Sequence, residues 1–227
     1  MKKFICTLPL QPNADGNVAV RYNYDLSCGF EYDGEVRNPV IPFILNHTDP
    51  GETIGIYLIV EEKSVATEAG ETHLKNLTAE YEDVKAAVGF NCDGIKQITI
   101  CAPQDSREYM RLVKKLFGII EDGDEIYADV TYGRKAVPIA QFIALTFAYK
   151  IRKNVEIGAL SYGEYHNPGI DGKTTPTVFD LADFFLLSDL ISNLGARQEA
   201  GNRAPMSLDE AEKVIKSIVD ELTGGEC

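Results

Sequence analysis

Asp124-Glu-Ile-Tyr-Ala-Asp-Val-Thr-Tyr-Gly-Arg-Lys-Ala-Val-Pro138-Ile-Ala decides how this chain is read. Ile126, Tyr127, Val130 and Thr131 are β-favouring types bounded by the turn-forming Gly123 and Gly133, which predicts a strand. Pro138 is pre-set for a first helical turn and leads into Ile139, Phe142, Ile143, Leu145 and Phe147, which predicts a helix. Between them, Thr131, Tyr132, Gly133, Arg134 and Lys135 gather a hydroxyl, an aromatic ring, a free-φ backbone and two cations at a helix entrance. Such a set suits a phosphate-bearing ligand with a base to stack. An ordinary strand-to-helix turn with solvated cations remains an open alternative.

Outward from this stretch, apolar β-rich runs alternate with segments of helical period. Residues 3–8, 53–60, 96–101, 125–131 and 155–162 read as strands, with a weaker candidate at 176–180. Residues 74–88, 106–120, 138–152, 181–194 and 208–222 read as helices. Repeated strand-helix-strand units call for parallel pairing, and near-continuous apolar strands suit a sheet covered on both sides. The expectation is α/β: a doubly wound, mostly parallel Rossmann-like sheet with helices on both faces. Its main domain spans 1–195, followed by a short helical appendage at 196–227 that starts with the capping box Ser207-Leu-Asp-Glu210. Residues 11–38 read as an irregular excursion or hairpin, and 164–176 as a long loop.

With 227 residues and 44% apolar types, the chain can bury a real core. A net charge of -13 argues against broad binding to DNA or RNA. A small anionic ligand needs the local reversal of sign that Arg134 and Lys135 offer. Lys150, Arg152 and Lys153 read instead as a helix end complementing its own dipole. The short apolar run at 4–10 meets Pro9 and Pro12, too short for a signal core or a membrane span, so a cytoplasmic protein is expected. Five cysteines without a Cys-x-x-Cys pair indicate reduced thiols, with Cys6 and Cys101 expected as buried hydrophobes. The three histidines lack metal-ligand spacing, so neither a metal nor a cofactor is expected.

Ligands of such sheets bind beyond the carboxyl ends of the strands. That rule nominates Thr7 to Gln11 after the first strand, Thr131 to Lys135 after the fourth and Ser161 to Tyr165 after the fifth, with Thr7, Leu8, Pro9, Gln11, Tyr162, Gly163 and Glu164 as candidate ligand contacts. No Gly-x-Gly-x-x-Gly, Walker or Gly-x-Ser-x-Gly motif is present, against a dinucleotide, P-loop ATP hydrolysis or a serine-hydrolase elbow.

Asp129-Val-Thr-Tyr-Gly-Arg-Lys-Ala-Val-Pro138, then Leu160-Ser-Tyr-Gly-Glu164, then Thr177-Val-Phe-Asp180-Leu resembles the CRISPR-associated Rossmann-fold (CARF) proteins with their Asp-x-Thr-His-Gly motif. Asp129, Thr131 and Gly133 match that motif, Arg134 and Lys135 fall where relatives carry basic residues, and Tyr162 and Gly163 match the later signature. Tyr132 stands in place of the motif's histidine, and Thr7–Gln11 lacks the relatives' Gly-Thr-Gly character. The resemblance implies a homodimer whose shared pocket takes cyclic oligoadenylate, with tetra-adenylate favoured, the messenger of type III CRISPR antiviral defence. Tyr132 and Tyr162 would then serve as walls. No Arg-x(4–6)-His ribonuclease motif is present, and residues 196–227 are too few for a winged helix.

Two functions follow. In the first, the chain is a stand-alone ring nuclease, cleaving the messenger slowly without metal by attack of the ribose 2′-hydroxyl, with Lys135 and Arg134 stabilising charge and Thr131 or Thr7 orienting the ring. Alternatively it is a non-catalytic sensor that signals to a separate effector.

Overall fold

The computed structural model describes residues 1–10, 18–101, 105–164, 175–189 and 213. Its contacts divide the chain into two units, Met1–Leu181 and Ala182–Cys227. In the second, residues 182–189 are helical. The boundary expected at 195 and nearly all of the helix expected at 208–222 lie outside the described residues.

The first unit carries a seven-stranded sheet in the order β3-β9-β8-β7-β1-β5-β6. Its strands are β1 (Lys2–Thr7), β3 (Asn23–Tyr24), β5 (Ile54–Glu61), β6 (Ile95–Ile100), β7 (Glu125–Asp129), β8 (Glu156–Glu164) and β9 (Thr177–Asp180). All neighbours pair parallel except β8 with β9. This is an α/β fold consistent with Rossmann-like architecture. The excursion at 18–38 contributes a separate antiparallel pair, β2 (Val20–Arg21) with β4 (Glu35–Val36). It also supplies β3, which joins the main sheet as an edge strand.

Every residue of β5 is buried, because alternate side chains are covered on opposite faces. Phe4, Cys6, Leu8, Ile56, Leu58 and Val60 share a core with helices α1 (Val40–Asn46) and α3 (Glu68–Val88). The alternate residues Ile5, Tyr57 and Ile59 are buried too. Helices α4 (Ser106–Ile119) and α5 (Ala136–Ile151) pack on each other and reach β6 and β8 respectively. A one-turn helix, α2 (Glu62–Val65), follows β5 directly.

The helices begin and stop where their caps dictate. Thr67 accepts from Gly70 N–H to open α3, six residues before the apolar periodicity becomes visible at Leu74. Asp105 does the same for α4 through Glu108 N–H. Pro138 sits in the first turn of α5, where a missing N–H costs nothing.

At the amino edge of the sheet, Lys3 is buried with its ammonium 2.6 Å from Asp124, which also pairs with the Met1 ammonium at 3.2 Å. Asp124, the first residue of the diagnostic stretch, thus anchors β1 beside β7 at the end opposite the crevice. Cys6 is buried and burial pushes its thiol up. Cys101, expected to be buried, is exposed because β6 ends one residue earlier at Ile100. Among the described residues no helix is long and apolar enough to cross a membrane.

Candidate functional site

Apart from the short edge strand β3, the chain passes from β1 to β5 and β6, then returns to the other side of β1 to build β7 and β8. The winding therefore reverses between β1 and β7, and a crevice opens beyond their carboxyl ends. Thr7 and the segment Asp129–Lys135 meet there. Gly133 has φ 105°, and a Cβ placed on it would stand 3.0 Å from Thr7 Cγ2. The loop after β7 thus lies directly on the end of β1, and only glycine fits both its backbone and that contact. Thr7 is 5% exposed and its hydroxyl has no hydrogen-bond partner among the described residues. Leu8 belongs to the core and donates its N–H to Ile59 O, and Pro9 is buried. Gln11 lies outside the described residues.

Asp129 is 1% exposed at the end of β7. Its carboxylate accepts from Thr131 N–H, Thr131 Oγ1 and Ser161 Oγ at 3.2, 3.0 and 2.9 Å. Burial pushes its pKa up to about 6, against the lowering effect of the Ser161 and Thr131 bonds. Thr131 Oγ1 in turn accepts from Gly163 N–H at 2.8 Å. The threonine is therefore a clip between the ends of β7 and β8, with its proton committed to Asp129. Gly163 is close-packed: a Cβ there would approach Pro39 and Thr131 to 3.1 Å. Gln141 of α5, 2% exposed, donates to Asp129 O at 3.5 Å and leaves its own oxygen unpartnered.

Tyr132 turns its hydroxyl away from the helix entrance and donates to Arg37 O at 2.8 Å. The Tyr132 hydroxyl also stands 3.4 Å from Tyr22 OH, and burial pushes the Tyr132 phenol up. Arg37 N–H and Asn38 Nδ2 donate to the two carboxylate oxygens of Glu80 on α3, at 2.7 and 2.8 Å. Tyr162, by contrast, is 38% exposed on β8. Glu164, the last residue of β8, is partly buried.

The two cations behave differently. Arg134 presents a fork to Glu61 at the end of β5, with Nε to Oε2 and Nη2 to Oε1 both 3.1 Å. Glu61 is 6% exposed, whereas the Arg134 side chain is 57% exposed. Sequence reasoning missed this pair, since 73 residues separate its members. Lys135 is exposed at the amino cap of α5 and makes no ion pair among the described residues. Of the first-turn amides, Pro138 has none and Val137 N–H is bonded to Arg134 O, which leaves that of Ala136. Among the described residues no group of three or more acidic, histidine or cysteine side chains could hold a metal.

A cleft of about 760 Å³ lies elsewhere, beside residues 22–33. Its Asp25 is engaged in capping Ser27 N–H and its Asp33 pairs with Arg21. Acidic walls make it a poor receptor for phosphate, so the crevice is the better candidate.

No family model matches this chain, and no curated protein does.

Proposed function

We propose that the chain is a CARF-like receptor that binds cyclic oligoadenylate at the β1/β7 crevice as a homodimer. The observation that carries the reading is Lys135, an exposed cation without an ion pair among the described residues, at the amino end of a 16-residue helix where that helix meets the crevice. An otherwise acidic chain needs such a local reversal to attract a phosphate. Ile139, Ile143, Phe147 and Ile151, four residues apart along α5, leave an apolar stripe exposed beside it. A second copy covering that stripe would bring two crevices into one assembly.

Metal-free cleavage by the ribose 2′-hydroxyl deepens this reading, since it asks the protein only for positioning and charge stabilisation. The sensor reading is favoured by a specific observation: Thr131 is committed to Asp129 and Gly163, and Arg134 to Glu61, so of Lys135, Arg134 and Thr131 only Lys135 is without such a partner among the described residues.

Purified protein incubated with cyclic tri-, tetra- and hexa-adenylate in excess chelator tests both. Binding of one ring size, weakened at least about tenfold by Lys135→Ala and unaltered by Lys150→Ala, is the expected outcome; tenfold corresponds to ~1.4 kcal/mol. Linear products lost with Lys135→Ala identify a ring nuclease, and binding without products a sensor. Equal losses in both variants sink the crevice assignment.

A further inference from the structure

The Arg134–Glu61 pair reaches across the width of β1. Arg134 follows β7 on one side of that strand, Glu61 ends β5 on the other, and Thr7 ends β1 between them. The bridge therefore spans the crevice at the place where Thr7 keeps a buried, unpartnered hydroxyl. A guanidinium fork matches a carboxylate and a phosphate with the same two parallel donors, so the two anions compete for it.

We propose that Arg134 and Thr7 form a phosphoryl subsite for which Glu61 is the intramolecular stand-in, a carboxylate latch that an incoming phosphate displaces. This rests on the crevice being a phosphate site, and deepens it by naming what opens it. The donors exchanged are the Arg134 Nε–H and Nη2–H, now 3.1 Å from the two oxygens of Glu61. Thr7 Oγ–H supplies a further donor that the latched arrangement leaves unused. The latch raises the threshold for simple anions: a ligand must bring enough contacts, at Lys135 and beyond, to replace a bidentate partner already in place. It thereby selects multivalent phosphates over a lone phosphate.

The pair is half exposed, so the competition it imposes is of the order of 1 kcal/mol, and its loss should tighten phosphate binding roughly fivefold. The test is calorimetric titration of wild type, Glu61→Gln, Arg134→Ala and the double variant, with cyclic tetra-adenylate and, separately, inorganic tripolyphosphate. Thermal melts confirm that each variant folds. The expected result is tighter binding in Glu61→Gln that disappears in the Arg134→Ala background. Weaker or unchanged binding in Glu61→Gln overturns the latch and leaves Glu61 as a residue that positions Arg134. A gain that survives in the double variant overturns it too, because it reports only the removal of a negative charge. If tripolyphosphate gains through Arg134 while tetra-adenylate binds no variant, the latch stands and the oligoadenylate reading falls. If neither probe binds any variant, the latch falls with it.

Discussion

Ser161 and Asp129 are joined side chain to side chain across the ends of β8 and β7, with Ser161 Oγ donating to Asp129 Oδ2 at 2.9 Å. Together with Thr131 this bond holds a carboxyl group in the interior without a cationic partner. Hydroxyl donors offset part of the cost of burying the charge, and the pKa of about 6 measures what is left.

That residue gives a stability signature with a definite sign. A carboxyl whose folded pKa is raised favours the folded state fully below its unfolded value near 4, and the contribution is lost as pH rises through about 6. Asp129→Asn removes the titration while keeping the shape. Its stability relative to wild type should therefore grow between pH 4 and 7, by roughly 2–3 kcal/mol. Urea denaturation across that range checks it, and a difference that is flat in pH refutes the assignment.

The contact between Gly133 and Thr7 predicts opposite effects from two small changes. Gly133→Ala places a Cβ at φ 105° and 3.0 Å from the Thr7 methyl, and should cost about 1–2 kcal/mol. Thr7→Val replaces a buried hydroxyl that has no partner, and should leave stability unchanged or raise it by up to about 1 kcal/mol. Denaturant midpoints decide both. A large loss in Thr7→Val would mean that the hydroxyl has a partner in solution.

The α5 stripe predicts the oligomeric state. Ile143 and Ile151 are 46% and 60% exposed, so changing both to glutamate should disturb the fold little. Sedimentation should show a wild-type dimer and a monomeric double variant. A wild type that is already monomeric removes the shared-pocket element of the proposed function.

The sheet was legible because its long strands satisfy local rules. Residues 53–60 and 96–101 read as strands within one residue of Ile54–Glu61 and Ile95–Ile100: the first is an apolar run buried on both faces, and the second buries Ile98 and Ile100 on alternate positions of an edge strand. What escaped depends on distant partners. Nothing within Asn23–Tyr24 marks a strand; its pairing with Thr177–Val178, more than 150 residues away, makes it one. The site divides in the same way. Asp129, Thr131, Gly133 and Lys135 could be gathered from one stretch because a strand, a turn and a helix start fix them locally. Tyr132, read as a ligand wall, has its orientation set by Arg37 O, 95 residues earlier, and the engagement of Arg134 is set by Glu61.

The bond from Tyr132 to Arg37 has a mechanical consequence. Residues 37 and 38 grip Glu80, which lies midway along the 21-residue α3. The turn that carries Arg134 and Lys135 is thus tethered to a rod some 30 Å long by two links in series, Tyr132 to Arg37 and then Arg37 and Asn38 side by side to Glu80. A displacement at the crevice must either break one of those links or pull on the middle of that rod. Helix α3 is therefore the built-in pointer on which movement of the cationic turn would register.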